Sequence, residues 1–588
     1  MAHYIFVKSR NPSDSELWIN RLRAVCDNIS PDLIRGNVKN KVAAWPNIND
    51  AYYAVQNSDS VKGVDDGVLA IGWIEPNSED LGGCIGVNSE SDGSYAVISS
   101  CDNKLSFYTD QFGSRTLWYY QDESIVVVST SQRAIVSIKG SFNLNEQSVA
   151  WFLSSGCQGP FMSWDQDIRQ VLPKYEYFFD YEYWRMSRYI KPGLDSPFPG
   201  STQFGNFLPL FKSALSGSVR KIARNCGLEK VLLPISGGLD SRTLLGIFES
   251  EGICDKIKLV NWGVPAKTEV FDDKAAARRV AKSFGRDLLD IGLPLNSTNF
   301  DEVLNRFIEA SEGRIDHFNA YTDGYLMWSR FYSQGYRFIL RGDQPYPVGL
   351  YLRESDIRAM VGLEILTDYA NSDNFSLERY QLLQSPYNLR RNPKESLFRW
   401  RDRTFRHCRI PLYTAAYSDL VSGFVENFSP MMSWSLYKIY MGLPDRCKGN
   451  KAHIRLMWEA LDNSGVPTHA TGSLKAPQEF FEGKKGEEYL VRRLKGCNVS
   501  GRVDKSLVNS IISSLNVKGA SSDKKNLKSF LSRMRGWLSH WMPSLVKAYL
   551  KNYKKRNLSP VTLGYRVIMV DKIISMYENE AKIGGSPN

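Results

Sequence analysis

An apolar strand that ends in a glycine loop and runs directly into a helix is the feature that most constrains this chain. The apolar run Val231–Ile235 is followed by the loop Ser236–Ser241, which reads Ser-Gly-Gly-Leu-Asp-Ser, and then by a helical pattern starting at Arg242. Glycines allow backbone N–H groups to approach an anion closely, and the positive end of a helix dipole favours negative charge there. The sequence therefore predicts an anion-binding loop of the kind that holds phosphate.

Individual residues of this loop have distinct expected roles. The backbone N–H groups of Gly237 and Gly238 would face the phosphate, and the hydroxyls of Ser236 and Ser241 would add donors. The carboxylate of Asp240 would repel a polyphosphate unless a metal ion lay between them, so we expect Asp240 to be a Mg2+ ligand. The alternative is an ordinary strand-to-helix turn rich in small residues, which this restrictive pattern disfavours.

The chain of 588 residues is long enough for two or three domains. Residues 1–190 contain short strands separated by turns, among them Ala96–Ser100, Leu105–Thr109 and Ile125–Ser129. A stretch rich in Pro, Gly and Ser, residues 192–202, marks a linker. We therefore expect a β-rich first domain over 1–190, a second domain over 205–500 and a basic helical region over 501–588.

Strand and helix patterns alternate from about residue 205 to residue 345. The predicted elements are a helix over Phe207–Cys226, strands over Val231–Ile235, Ile257–Asn261 and Phe338–Leu340, and a helix over Asp273–Phe284. Alternation of this kind predicts a doubly wound α/β fold, a parallel sheet with helices on both faces. Ligands of such sheets bind at the carboxyl ends of the strands, where the Ser236 loop, the Asn261–Gly263 turn and the Arg341–Asp343 turn all fall.

The Ser-Gly-Gly-Leu-Asp-Ser loop resembles the pyrophosphate-binding loop of N-type ATP pyrophosphatases and lacks the Gly-Lys-Ser/Thr of a Walker loop. The resemblance implies that ATP and Mg2+ are the cofactors, and that ATP is split to AMP and pyrophosphate while a substrate carboxylate is adenylated. The ATP-binding residues that it implies are Ser236, Gly237, Gly238, Leu239, Asp240, Ser241, Asn261 and Gly342.

A hairpin pattern over Asp110–Tyr120, placed ahead of this loop, resembles the N-terminal glutaminase domain of the asparagine synthetase family. The segments 271–286, 409–421 and 451–458 extend the resemblance across most of residues 65–485. It implies an Ntn-hydrolase-like α+β domain, then a doubly wound parallel-sheet ATP pyrophosphatase domain, then a helical C-terminal extension.

Two further residues are implied to be catalytic. Lys475 aligns with the family's catalytic lysine, whose ammonium stabilises the negative charge formed when an amine attacks the acyl-adenylate; the alternative is an ordinary exposed lysine. Asp343 would act as general base or orient the amine. The family's following Asp-Glu pair is absent, because Gln344, Pro345 and Tyr346 stand there. Either Asp240 and the phosphates hold Mg2+, or another residue substitutes, or activity is lost.

The start of the chain departs from the family. A working glutaminase of this type uses a cysteine as its first mature residue, whereas this chain begins Met1-Ala2-His3 and its nearest cysteine is Cys26, inside a predicted helix. We therefore expect no glutamine hydrolysis and a scaffold role for the first domain, as in the family members that make β-lactams and lasso peptides.

Composition narrows the setting and the partners. No window is apolar enough to cross a membrane, the first residues lack a charged region followed by an apolar one, and the nine cysteines form no C-x-x-C pair. We therefore expect a cytoplasmic protein with reduced thiols and no zinc site. The net charge of +11 is concentrated in segments 390–409 and 524–556. The first segment is either a solvated face or a site for an anionic substrate. The second is either a docked helix pair or a surface for peripheral contact with a membrane or partner peptide.

These observations favour an ATP-dependent, AMP-forming amide ligase that acts on a small-molecule or peptide carboxylate and takes its amine from a source other than glutamine. A lasso-type macrolactam cyclase would have a precursor peptide and a protease as partners. The alternatives are an ammonia-using amidating enzyme acting on aspartate or an acidic surface sugar, and a non-catalytic nucleotide-binding scaffold. We expect no nucleic-acid partner.

Overall fold

The computed structural model describes most of the chain. The described residues are 3–58, 67–75, 91–101, 103–191, 204–226, 230–263, 273–292, 300–317, 324–347, 351, 353–386, 389–444, 447–448, 451–461, 484–519 and 556–585. They form a mixed α/β structure with two antiparallel sheets, one parallel sheet and many helices.

Residues 3–191 contribute the two antiparallel sheets. Their strands are β1 Tyr4–Ser9, β2 Lys41–Ala44, β3 Ala51–Val55, β4 Val68–Glu75, β5 Asp92–Cys101, β6 Lys104–Thr109, β7 Trp118–Gln121, β8 Ile125–Ser129, β9 Arg169–Gln170, β10 Tyr175–Asp180 and β11 Arg185–Ile190. One sheet has the order β2-β3-β1-β8-β7-β9, and the other has the order β11-β10-β6-β5-β4.

The two sheets pack face to face, as the alternation of side chains along β1 shows. Tyr4 and Phe6 belong to a cluster that includes residues of both sheets. Ile5 and Val7 point to the opposite side, where they join the cluster that contains the buried face of the helix Ser15–Ile29. Successive residues of a strand face opposite sides, so β1 separates a core between the sheets from a core beneath a helix.

The parallel sheet supplies the second architectural unit. Its strands are β12 Val231–Pro234, β13 Ile257–Gly263, β14 Leu288–Gly292, β15 Phe338–Leu340 and β16 Glu426–Phe428, in the order β14-β13-β12-β15-β16. Every neighbouring pair is parallel. The strand order reverses between β12 and β15, and such a switch point opens a crevice at the carboxyl ends of the two strands.

The helices are α1 Ser15–Ile29, α2 Gln132–Lys139, α3 Glu146–Ser155, α4 Phe204–Cys226, α5 Leu239–Ser250, α6 Asp273–Ser283, α7 Phe300–Ser311, α8 Gly324–Ser333, α9 Glu354–Val361, α10 Glu378–Leu383, α11 Leu397–Thr404, α12 Ala415–Ser422, α13 Trp434–Met441, α14 Ala452–Leu461, α15 Lys484–Ser500, α16 Lys505–Gly519 and α17 Pro560–Gly585. A π-helix, Phe405–Thr414, joins α11 to α12. The last helix packs against α2 and α3 of the N-terminal part and against α7, α15 and α16.

The strands and helices named from the sequence are confirmed, each within a few residues of its predicted ends. The predicted parallel sheet is confirmed, whereas β14 and the three-residue β16 were not predicted. The predicted linker over 192–202 and all but the last residue of the basic segment 524–556 lie outside the described residues. Among the helices that the structure describes, none is long and apolar enough to cross a membrane.

A buried ion pair joins the predicted hairpin to the parallel sheet. The guanidinium of Arg115 contacts the carboxylate of Glu426 and the carbonyl oxygen of Asn427, and both charged side chains are 1% exposed. Close by, the carboxylate of Asp92 accepts hydrogen bonds from the Ser433 hydroxyl at 2.8 Å and the Trp434 N–H at 2.7 Å. These contacts hold the edge strand β16 against the N-terminal sheets.

We expect Arg115→Ala to destabilise the protein by about 3–5 kcal/mol, because it leaves the Glu426 carboxylate buried without its cation. The measurement is urea unfolding at neutral pH. Arg23→Ala, which removes an exposed arginine of α1, is the matched control and should change stability by less than about 0.5 kcal/mol. Equal effects of the two substitutions would show that the Arg115 pair does not join the two parts.

Candidate functional site

A cavity of about 380 Å³ opens at the carboxyl ends of β12, β13 and β15. Each of the three strands contributes the residues that follow it or end it: Ser236 to the first wall, Asn261 and Trp262 to the second, and Arg341 to Asp343 to the third. Tyr417 of α12 and Trp328 of α8 complete the lining. The cavity thus lies at the switch point of the sheet, where the topology directs a ligand.

The loop between β12 and α5 is held by its own serines. The Ser236 N–H donates to the Ser241 hydroxyl at 3.2 Å, the two hydroxyls lie 3.1 Å apart, and the Gly238 N–H donates to the Ser236 hydroxyl at 3.1 Å. Gly238 is the N-cap residue of α5 and has no side chain to bond the N–H groups of the first turn. The positive end of α5 therefore faces the cavity.

The turn after β15 approaches the start of α5 so closely that only glycine fits at position 342. A Cβ atom on Gly342 would lie 2.7 Å from the Asp240 Cβ and 3.2 Å from its carbonyl carbon. Contacts that short do not occur between carbon atoms without movement of the backbone. Gly342 therefore sets the spacing between the two turns that flank the cavity.

Asp240 lies in the first turn of α5, and Lys451 is its cationic partner. The Lys451 ammonium contacts one carboxylate oxygen, and the Gln344 amide lies 3.4 Å from the other. Burial raises the pKa of Asp240, the Lys451 charge opposes that rise, and the Asp343 charge adds to it. Lys451 has a φ of 56°, a left-handed conformation that is strained in a residue with a Cβ, and such strain is concentrated at functional sites.

The second carboxylate of the cavity is held by an arginine. Arg341 contacts the Asp343 carboxylate, with Nε–Oδ2 at 3.3 Å and Nη2–Oδ1 at 3.4 Å. The same guanidinium lies 4.9 Å from the ring centroid of Tyr417. Arg341 thereby links the carboxylate of the β15 turn to an aromatic wall supplied by α12.

The end of β13 presents a polar atom and an aromatic ring. Asn261 is 5% exposed, and its amide N–H donates to the Ile235 carbonyl at 2.6 Å, which ties β13 to β12. Its side-chain oxygen has no hydrogen-bond partner among the described residues. Trp262 packs edge to face on the buried Trp328, with ring centroids 5.4 Å apart. An acceptor without a donor beside an aromatic wall is suited to a nucleobase that carries an amino group.

The oxygen donors present suit a Mg2+ ion that arrives on a polyphosphate. Mg2+ commonly takes one or two protein carboxylates together with phosphate oxygens, and the carboxylate of Asp240 faces the cavity beside the Ser236 loop. Within the described part of the chain, no group of three His, Cys, Asp or Glu side chains could hold a metal ion without such help.

The structure brings most of the sequence-predicted site residues to this cavity. Its wall contains Ser236, Gly238, Asp240, Ser241, Asn261, Gly342 and Asp343. Gly237 and Leu239 belong to the same loop but not to the wall. Lys475 lies outside the described residues, so its predicted role stays a prediction.

Sequence reasoning missed several side chains of the site: Lys451, Gln344, Trp262, Trp328 and Tyr417. Three of them stand in segments that were recognised only as resemblances or turns. The contact between Lys451 and Asp240 spans 211 residues of sequence, and no local pattern predicts it.

Near the start of the chain, the strand residues Tyr4–Lys8 are buried and His3 is half-buried. Burial lowers the pKa of His3 to about 3, and its ring Nδ1 lies 3.3 Å from the Thr130 hydroxyl. Cys26 lies in the helix α1, as predicted; it is fully buried there, and burial raises the pKa of its thiol to about 12. A thiol with that pKa is not a nucleophile at neutral pH.

Comparisons with known proteins find little similarity in sequence or in structure. No protein-family model and no curated protein sequence matches the chain. One similar solved structure is described as the allosteric regulatory enzyme of purine biosynthesis, with 8% identity, a TM-score of 0.21, and coverage of 50% of this chain and 90% of that one. Another is glutamine phosphoribosylpyrophosphate amidotransferase from B. subtilis complexed with ADP and GMP, with 8% identity, a TM-score of 0.20, and coverage of 49% and 90%.

We expect Gly342→Ala to destabilise the protein by about 1–3 kcal/mol, because the new methyl group must displace the start of α5. The control is Gly292→Ala at the end of the edge strand β14, where a Cβ would meet nothing within 4 Å. That substitution should be neutral or stabilising by up to about 1 kcal/mol. Urea unfolding of both variants measures the difference, and a Gly342→Ala protein as stable as the control would contradict the close approach.

Proposed function

We propose that this protein is an ATP-dependent, AMP-forming ligase that adenylates a substrate carboxylate and transfers the acyl group to an amine. The observation that carries the proposal is the cavity at the switch point. There the Ser236 loop, the start of α5, and the pair Asp240 and Lys451 lie together. Backbone N–H donors, a helix dipole, an ammonium and a carboxylate able to bind Mg2+ form a site for a magnesium-bound polyphosphate.

The triphosphate would lie over the Ser236 loop, with its outer phosphates near Lys451. The ammonium of Lys451 would interact more strongly with the phosphate oxygens than with the carboxylate of Asp240. Lys451 would therefore move from Asp240 toward the nucleotide. The freed carboxylate would then coordinate Mg2+, which neutralises phosphate charge when bound.

The adenine base would lie at the end of β13. The side-chain oxygen of Asn261 would accept a hydrogen bond from the exocyclic amino group, and Trp262 would provide an apolar wall. This placement would give the buried side-chain oxygen of Asn261 the donor that it lacks among the described residues.

The acyl group would react near the turn after β15. Once Arg341 releases the Asp343 carboxylate, Asp343 would accept the proton of the attacking amine. Lys475 is proposed to stabilise the negative charge of the tetrahedral species. Because burial makes the thiol of Cys26 unreactive at neutral pH, the amine is proposed to come from a source other than glutamine. Candidates are an amine of the substrate itself or free ammonia.

We expect Asp240→Asn to abolish release of pyrophosphate from ATP, because it removes the one carboxylate proposed to hold Mg2+. Pyrophosphate release is measured with Mg2+, ATP and a panel of carboxylates, including aspartate and short acidic peptides. EDTA should abolish the wild-type signal. Asp255→Asn, at a side chain that is 78% exposed, is the control and should retain full activity. Wild-type protein that binds ATP and cleaves none with any carboxylate would instead indicate a nucleotide-binding scaffold.

Lys451→Met should weaken MgATP binding by about 10- to 100-fold, the usual range for loss of a hydrogen bond to a charged group. Titration calorimetry with MgATP gives the dissociation constant. Lys256→Met, at an exposed lysine of the same sheet region, is the matched control and should bind like the wild type. Unchanged binding in Lys451→Met would mean that the ammonium only balances Asp240.

Lys475→Ala should leave pyrophosphate release intact and block amide formation, because its proposed charge acts after adenylation. Quenched-flow separation of adenylate from amide product measures both steps. Loss of ATP binding in this variant would contradict the role proposed for Lys475.

A further inference from the structure

In the basic segment 390–409, some arginines are neutralised by carboxylates and others are not. Three arginines are held by carboxylates: Arg391 by Glu354, Arg401 by Asp402 and Arg403 by Glu395. Of the basic residues outside these pairs, Lys394 and Arg399 are exposed, and Arg406 lies 2.6 Å from the ring nitrogen of His407. Arg409, at the end of the segment, is instead half-buried against aromatic rings.

Arg409 has no carboxylate partner among the described residues, and no hydrogen bond to any of them. It is half-buried, and its guanidinium lies 4.1 Å from the ring centroid of Tyr413 and 6.0 Å from that of Phe405. Stacking on a ring occupies the flat face of a guanidinium and leaves its N–H donors in the plane available. Arg409 is thus a half-buried guanidinium without a carboxylate among the described residues, and its planar fork matches the geometry of a carboxylate.

A row of side chains connects Arg409 to the nucleotide cavity. Arg409, Tyr413 and Tyr417 follow each other at intervals of four residues along the π-helix and α12, so they share one face. The rings of Tyr413 and Tyr417 are nearly parallel, at 7°, with centroids 6.2 Å apart. Tyr417 lines the cavity and carries Arg341 at 4.9 Å.

A long π-helix carries the first two residues of this row, Arg409 and Tyr413. It extends over ten residues, Phe405–Thr414, whereas π-helices elsewhere are mostly single turns that occur at functional sites. A wide turn of this kind positions Arg409 and Tyr413 on the face that continues to the cavity. The row therefore has a backbone feature of its own, in addition to its side-chain contacts.

The length of the row limits the ligand. Tyr417 lies eight positions after Arg409, which corresponds to a rise of about 12 Å in an α-helix and somewhat less in a wider turn. The two carboxylates of one aspartate are joined by three C–C bonds of about 1.5 Å, so they cannot lie more than about 5 Å apart. An anion at Arg409 and a reacting carboxylate in the cavity therefore belong to a molecule longer than a single acidic amino acid.

We propose that Arg409, Tyr413 and Tyr417 form the binding surface for an oligomeric acidic substrate. One carboxylate of that substrate would bind the Arg409 fork while another lies in the nucleotide cavity. This inference rests on the proposed ligase function for the identity of the cavity, but the binding surface can be tested without turnover. Acidic peptides and oligouronates share the required chemistry, and the experiment separates them.

The test is titration calorimetry of the full chain with defined probes: acetylated triglutamate, its triglutamine counterpart, trigalacturonate and free aspartate. Wild-type protein should bind triglutamate or trigalacturonate and should bind neither triglutamine nor aspartate measurably at millimolar concentration. Whichever of the two acidic probes binds more tightly identifies the source of the carboxylates. Arg409→Gln should weaken that binding at least about tenfold, as expected for loss of a charged hydrogen bond.

Two further variants make the result specific. Arg399→Gln removes an exposed arginine of α11 in the same basic segment and should bind the acidic probe like the wild type. Arg409→Lys keeps the charge and removes the planar fork, so it should weaken binding several-fold even if Arg409→Gln does not fold. Equal losses in the Arg399 and Arg409 variants would show diffuse surface charge and would overturn the proposal.

Failure of this inference and failure of the proposed function give different results. Wild-type protein that binds MgATP but neither acidic probe would overturn the binding surface and leave the ligase proposal standing. Protein that binds an acidic probe but no MgATP would overturn the ligase proposal and retain the surface. Tight binding of free aspartate would contradict the length argument directly.

Discussion

The close approach of two turns at the switch point of the parallel sheet is the constraint on which the candidate site depends. The strands β12 and β15 are neighbours, and the turns that follow them meet where Gly342 faces Asp240. Any side chain at position 342 would separate them. Because they touch, a carboxylate, an amide and the positive end of α5 lie within one cavity, and Lys451 is brought to the same carboxylate from a distant segment.

The N-terminal sheets support this arrangement from outside. Arg115 and Asp92 hold the edge of the parallel sheet through Glu426 and the start of α13. At the opposite side, Arg133 of α2 pairs with Glu580 of the last helix. Buried ion pairs of specific geometry therefore join the N-terminal sheets and α2 to the rest of the molecule. Removing one charge of such a pair is destabilising, because its partner is left buried without a counter-charge.

The sequence predicts the strands and turns that form the site better than the side-chain contacts within it. Strands β12, β13 and β15 and the helix after the Ser236 loop follow from local apolar patterns and glycines, and the structure has them as expected. The three-residue β16 has too short a pattern to be recognised. Lys451 could not be assigned to Asp240, because their contact depends on how α14 packs on α5, which is a tertiary property. The ion pairs of segment 390–409 likewise depend on tertiary contacts, since Arg391 pairs with Glu354 and Arg403 pairs with Glu395.

The proposed ligase function requires a nucleotide to bind at the carboxyl ends of β12, β13 and β15. Hydrogen–deuterium exchange with and without MgATP tests that location without knowledge of the acyl substrate. We expect slower exchange on MgATP binding at residues 235–244, 260–263, 341–344 and 451–458. Protection confined to the N-terminal sheets, or no protection at saturating MgATP, would contradict it.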